Sequence, residues 1–216
     1  MENLNKYIEH TLLKQDAVFE EFKKLFDEAI EHKFFGICIN PAYVKFAKEY
    51  LTDSNVKIVT VVGFPLGANK SEVKAYETKL AIQDGADEID MVINITNIKI
   101  KDYDAVRKDI EAVKKACGDK LLKVILETDL LTKEEIKKAC ELCIEAKADF
   151  VKTSTGFVKN GFGAKAEDVE LMYKTVSPYG LKVKASAGIR DKQKAIEMIK
   201  AGASRLGTSA GVEIVS

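Results

Sequence analysis

The chain reads as an α/β protein: one (β/α)8 barrel (a TIM barrel) of parallel strands, a single domain over residues 1–216 with a very short closing helix. Three observations predict this. Eight short apolar or β-branched runs alternate with seven amphipathic runs of about a dozen residues, the pattern of βα units on a parallel sheet. The junction of helix end, Ala-Asp or Ala-Ser, then strand recurs at Asp84–Asp90, Ala146–Lys152 and Ala201–Gly207. Eight strands fit a closed barrel, with a doubly wound open sheet as the alternative.

Taken in order, the strands are expected at Ile8–Leu13, Gly36–Asn40, Ile58–Phe64, Glu88–Asn94, Lys123–Thr128, Phe150–Gly156, Lys182–Gly188 and Arg205–Ser209. Helices are expected over 17–31, 42–51, 70–84, 103–116, 133–146, 166–176 and 191–201. Asn40 before Pro41 reads as a cap ahead of a first-turn proline. Asn69 with Glu72, and Thr132 with Glu135, have capping-box spacing. Gly85 and Gly202 stand where helices stop in a left-handed residue.

Composition excludes several function classes. Lys plus Arg and Asp plus Glu number 34 each, which gives no basic surface for nucleic acid and no acidic tail. No run approaches the ~18 apolar residues of a membrane span, and the first residues lack the apolar centre of a signal peptide. The four cysteines read as reduced thiols of a cytoplasmic protein.

In a barrel, strand residues alternate between the helix-covered face and the interior. With Ile89, Met91 and Ile93 outward, Glu88, Asp90, Val92 and Asn94 point in. Val124 and Leu126 outward leave Glu127 inward, and Ile37 and Ile39 outward leave Cys38 and Asn40 inward. Lys152 shares a face with Phe150 and Ser154; Lys184 shares one with Ser186. One cavity is therefore expected to hold Lys152, Lys184, Asp90, Glu127, Cys38 and Ser186. Buried charge is costly unless paired, so this points to a site rather than a core.

Two lysines on neighbouring strands suggest an imine-forming amine. A lysine must be neutral to attack a carbonyl. Parallel strands lie about 4.8 Å apart. A second ammonium roughly 4–6 Å away, at an effective dielectric of about 20, raises the charged form by about 3–4 kcal/mol. Lys152 is the expected nucleophile, Lys184 its charged neighbour, and Asp90 the partner that moves protons. The bland alternative is a snorkelling or edge-strand lysine.

A second constellation suits an anion. Ser186–Arg190 and Gly207–Gly211 follow the seventh and eighth strands, where barrels often bind phosphate, although each stretch alone also reads as an ordinary turn. Cys38 is either an inert lining thiol or a substrate contact. Cys140 and Cys143 lie in a helical pattern and read as core. His10 is a candidate to line the site and His32 reads as surface; two separated histidines argue against a zinc-dependent reaction.

Set beside known families, the sequence resembles the deoxyribose-phosphate aldolases (DeoC, class I) along nearly its whole length. The matching stretches are His10–Leu13, Gly36–Pro41, Val62–Gly67, Glu88–Asn94, Lys123–Thr128, Phe150–Phe157, Val183–Arg190 and Arg205–Ser209. The resemblance implies a lyase working through a Schiff base without metal or cofactor. It puts the imine on Lys152, the second lysine on Lys184 and the proton-relay aspartate on Asp90. It puts phosphate on Gly156, Gly188, Gly207 and Ser209, with Arg190 nearby. The implied substrates are a phosphosugar and acetaldehyde, and the implied state is a homo-oligomer, dimer or tetramer. Two departures are visible. Ser186-Ala187-Gly188 stands where the family often has Ser-Gly-Gly, and Asp129 stands where Gly is usual. A transaldolase-like enzyme, an isomerase without an imine and a non-enzymatic phosphosugar-binding protein are the rival readings.

Overall fold

The computed structural model describes residues 3–216. The strands are β1 (Ile8–Leu12), β2 (Gly36–Ile39), β3 (Lys57–Val62), β4 (Glu88–Val92), β5 (Leu121–Ile125), β6 (Phe150–Lys152), β7 (Lys182–Ser186) and β8 (Ala203–Thr208). They form a closed barrel in sequence order. Closure is made by parallel pairing of β1 with β8, Ile8 opposite Leu206 and His10 opposite Thr208, which excludes the open sheet. The helices are α1 (Phe19–Glu31), α2 (Val44–Tyr50), α3 (Ser71–Asp84), α4 (Ile95–Lys99), α5 (Tyr103–Cys117), α6 (Lys133–Glu145), α7 (Ala166–Val176), α8 (Lys192–Lys200) and the short closing α9 (Gly211–Val215).

Alternation sorts the strand residues as the sequence suggests. Ile37, Ile39, Ile89, Met91, Val124, Leu126, Val151 and Val183 belong to the apolar layer shared with the helices. Each such side chain, fully buried, contributes about 1.5–3 kcal/mol. The interior is divided. Leu13, Cys38, Val59 and Val61 make a small apolar cluster on the β1–β3 side. Buried charged residues of β4 to β7 fill the other side, joined by Glu9 of β1. A bulge in β8 opposes Val183 to Ala203 but Lys184 to Arg205, leaving Ser204 as the extra residue. The bulge lets Ala203 and Leu206 both pack outward while Arg205 approaches Glu9 inside.

Element ends differ from the sequence expectation. β4 stops at Val92, and Asn94 is not an inward strand residue: its Oδ1 accepts from Asn97 N at 3.4 Å and caps α4, a helix the periodicity did not reveal. β6 stops at Lys152, although Thr153 N still donates to Lys184 O at 3.1 Å. Thr132 and Glu135 do form a capping box, with bonds of 3.2 and 2.8 Å. Asn69 does not cap: α3 starts after Lys70 without a side-chain bond. Asn40 spends its amide on Leu13 O at 3.2 Å, and Pro41 opens a 3-10 turn instead of α2. Gly85 and Gly202 adopt the expected positive φ, 112° and 113°.

Candidate active site

The site grows from β4, where alternation turns Glu88 and Asp90 inward. Asp90 is the register partner of Lys123 on β5, and Lys152 on β6 is the register partner of Lys184 on β7. Three amines converge on one carboxylate. Lys152 Nζ and Lys184 Nζ donate to Asp90 Oδ2 at 2.8 and 2.6 Å. Lys123 Nζ donates to Asp90 Oδ1 at 3.0 Å. Below them Lys184 also bonds Glu9 Oε2, and Lys123 reaches Glu88 Oε2 at 2.5 Å and Glu9 Oε1 at 3.5 Å. Arg205 closes the base, its Nε 3.8 Å from Glu9 Oε1 and its guanidinium 3.6 Å from the Phe35 ring centre.

Apart from the half-buried Arg205, these charges are shielded from water: Glu9, Asp90, Lys123 and Lys184 are fully buried and Lys152 is 3% exposed. Their mutual pairing offsets the desolvation cost. Burial alone would raise Asp90, but Lys123, Lys152 and Lys184 outweigh it and hold the carboxyl well below the usual carboxylate value. Burial would lower Lys184, but Asp90 and Glu9 outweigh it and hold that amine well above its ordinary value. Lys123 is raised for the same reasons, burial opposing and Asp90 and Glu9 prevailing. Lys184 is therefore a fixed positive charge.

Above the cluster opens a cavity of about 380 Å³, lined by Lys152, Ser186, Gly156, Gly188, Gly207 and Ser209 among others. Arg190 and Thr11 stand on its wall as well. Gly207 leaves room for Lys184: a Cβ there would lie 3.1 Å from Lys184 Cε. The ends of β6 and β7 are tied by Ser186 Oγ donating to Ser154 O at 2.6 Å and Thr153 Oγ1 donating to Ser186 O at 3.0 Å. Among the described residues, the N–H groups of Gly156, Gly188 and Ser209 make no hydrogen bond within the protein. Three free donors around one rim form a concavity suited to an anion.

The single expected cavity proves to be divided. Lys152 and Ser186 line it; Lys184 and Asp90 lie beneath without exposed surface. Cys38 is also fully buried, in the apolar cluster. Burial pushes its thiol up, although Lys184 and Lys152 pull the other way. Glu127 faces an adjoining cavity of about 420 Å³ that shares Ser154, Gly156, Gly188 and Arg190. It sits there because its backbone turns left-handed, φ 59°, and its carboxylate accepts from Thr155 N at 3.1 Å and from Thr155 Oγ1. Burial pushes its carboxyl up, against the Thr155 bonds. His10 is corrected: it points out of the barrel and bonds Glu28 Oε2 at 2.8 Å. His32 is half-buried and stacks on Phe34 at 5.5 Å.

Sequence reasoning missed Glu9, Lys123 and Arg205. The signal for two of them was available: Lys123 sits between the outward apolar Leu122 and Val124, and Glu9 follows the outward apolar Ile8, so alternation turns both inside. Ser154 was named only as a face-mate of Lys152. Its buried Oγ has no partner among the described residues, and it lines both cavities.

The pattern of the DeoC/LacD family aldolases matches residues 6–216. The chain is 58% identical to a deoxyribose-phosphate aldolase of Brevibacillus brevis over 99% of this chain and 96% of the relative. It is 56% identical to one of Finegoldia magna over 98% of each chain. A solved deoxyribose-phosphate aldolase from Aeropyrum pernix superposes with TM-score 0.91 at 31% identity, over 98% of this chain and 89% of that one. On a family match from the first strand to the last residue, and on identities above one half, the chain belongs to the DeoC/LacD family of aldolases.

Proposed function

We propose that this aldolase reversibly cleaves 2-deoxy-D-ribose 5-phosphate to D-glyceraldehyde 3-phosphate and acetaldehyde, with Lys152 as the imine-forming residue. The observation that carries the reading is that Lys152, the one amine of the cluster that lines the cavity, shares Asp90 Oδ2 with a second, permanently charged lysine. Four basic groups, Lys123, Lys152, Lys184 and Arg205, face three carboxylates, Glu9, Glu88 and Asp90. By formal charge the cluster balances when Lys152 is neutral, the form that attacks a carbonyl.

Lys152 Nζ adds to the C1 aldehyde of the open-chain sugar, and loss of water leaves an iminium. The C2–C3 bond then breaks with its electron pair moving into the iminium, while the C3 hydroxyl gives up its proton to a water in the cavity, above the Asp90–Lys184 pair. Glyceraldehyde 3-phosphate leaves. The enamine takes a proton at C2, and water releases acetaldehyde and the free amine. Asp90, which accepts from both lysines, is the carboxylate that takes up a proton leaving Lys152 and returns it, while charged Lys184 holds that carboxylate in place. Gly156, Gly188, Gly207, Ser209 and Arg190 are assigned to the phosphate, whose binding orients the reacting carbon. Cys38, behind the wall, shapes the cavity without touching the substrate.

The reading extends to the setting: catabolism of deoxyribose in the cytoplasm, where the four buried, unbridged cysteines would remain thiols. Among the described residues no helix is long and apolar enough to cross a membrane. It also includes a homo-oligomer, since Val73, Tyr76 and Leu80 are turned to solvent along one face of α3; sedimentation gives the state. The decisive test is incubation with acetaldehyde and borohydride followed by peptide mapping. A reduced adduct on the peptide holding Lys152 supports the assignment; an adduct elsewhere, or none, overturns it. A panel of phosphorylated and free sugars identifies the substrate.

A further inference from the structure

The segment between β6 and α7 is wedged between two others. Gly163 N donates to Asp129 Oδ2 at 2.7 Å, and Lys165 Nζ stands 3.3 Å from the other oxygen. The Asp129 side chain, just after β5, is only 7% exposed. On the opposite side, Ala164 N donates to Ala187 O at 3.0 Å. Ala187 has φ 69°, a left-handed conformation that a residue with a Cβ disfavours. There is no slack in the contact. A Cβ on Gly163 would fall 2.5 Å from Ala187 O, one on Gly188 would fall 2.6 Å from Phe162 O, and one on Gly161 would fall 2.8 Å from Asp129 Oδ2.

We propose that Asp129 is a positioning and specificity residue. Its carboxylate latches Gly161–Ala164 against Ala187–Gly188 and so holds the left-handed turn in the shape that receives the substrate's phosphate. The inference rests on the phosphosugar reading above. Its reach is confined to one end of the substrate. Gly156 and Gly188 line the cavity on the latched side, whereas Lys152 and Lys184 are held by the strand ladder and by Asp90, independently of the latch.

The test compares wild type, Asp129→Ala and Asp129→Asn. With 2-deoxyribose 5-phosphate, Asp129→Ala raises KM at least about tenfold, equivalent to about 1.4 kcal/mol, and leaves kcat within about twofold. With unphosphorylated 2-deoxyribose, kcat/KM does not change. Asn, whose amide oxygen still accepts from Gly163 N, recovers most of the loss. Affinity for inorganic phosphate, measured by titration calorimetry, falls about tenfold in Asp129→Ala alone. Equal losses on both sugars, or unchanged phosphate affinity and KM, overturn the latch. If the wild type cleaves no phosphosugar, the substrate reading fails, and phosphate affinity still decides the role of Asp129.

Discussion

Lys152 and Lys184 are register partners on β6 and β7, and their amines meet on the same oxygen, Asp90 Oδ2. They can be no further apart than those two hydrogen bonds laid end to end, 2.8 and 2.6 Å. At such spacing one ammonium resists another nearby, and in this pair Asp90 and Glu9 keep the charge on Lys184. Their removal is expected to separate two roles. Lys152→Ala abolishes borohydride trapping and lowers kcat by about 10³-fold or more, since the covalent step has no substitute. Lys184→Leu also loses most activity, and additionally leaves Glu9 short of a partner. Its urea midpoint should fall by the equivalent of about 3–5 kcal/mol. Near-normal turnover in either variant contradicts the assignment.

Glu9→Gln tests a residue beneath the cavity that bonds Lys184 and stands 3.5 Å from Lys123. Glu9 and Asp90 together hold Lys184 above its ordinary value against burial. Without the Glu9 charge that value falls. If charged Lys184 is required, the alkaline limb of the pH profile of kcat/KM moves to lower pH. An unshifted limb in a folded variant would show that Glu9 does not set the charge of Lys184.

Asp90 gives a stability prediction with a definite sign. Its folded value lies well below 3.8 because three lysines outweigh burial. A depressed carboxylate contributes stability above its unfolded value, about 3.9, and loses it as pH falls through the folded value. Asp90→Asn is therefore less stable than wild type at pH 7, by about 3–5 kcal/mol. The gap should narrow as pH drops below about 3.9. Urea melts of both proteins from pH 2 to 7 measure it; a gap constant with pH refutes the ionic account.

The thiols should be inert in the native state. Burial pushes Cys117 up to about 12, more than nearby Lys114 can offset. Burial also raises Cys38, Cys140 and Cys143. Because the thiolate is the reactive form, a disulfide reagent at pH 8 should label none of the four cysteines rapidly in folded protein and all four after denaturation.

Much of this was legible in the residues. Val183, Lys184, Ala185 and Ser186 alternate, so an inward Lys184 follows from strand geometry alone; so do Lys152 and Asp90. Lys123 and Glu9 obey the same rule but were passed over, because a single charged residue in a short strand also reads as a solvent-facing one. Glu127 shows where alternation stops: one left-handed residue after β5 turns its carboxylate into the neighbouring cavity. His10 shows a second limit. It sits beside the cavity-lining Thr11 yet faces outward, where Glu28 of α1 meets it. Spacing alone did not settle the caps: Thr132 with Glu135 forms its box, Asn69 with Glu72 at the same spacing does not, and Asn40 gives its amide to the tertiary acceptor Leu13 O.

The residues alone determined which side chains face inward, because a strand's period of two is a property of local backbone geometry. The tertiary structure alone decided which of them touch. Glu9 and Lys184 are 175 positions apart and meet only because β1 pairs with β8. Closure and stagger are settled by packing around the whole ring. The charge balance in the barrel therefore appears only once the ring is closed.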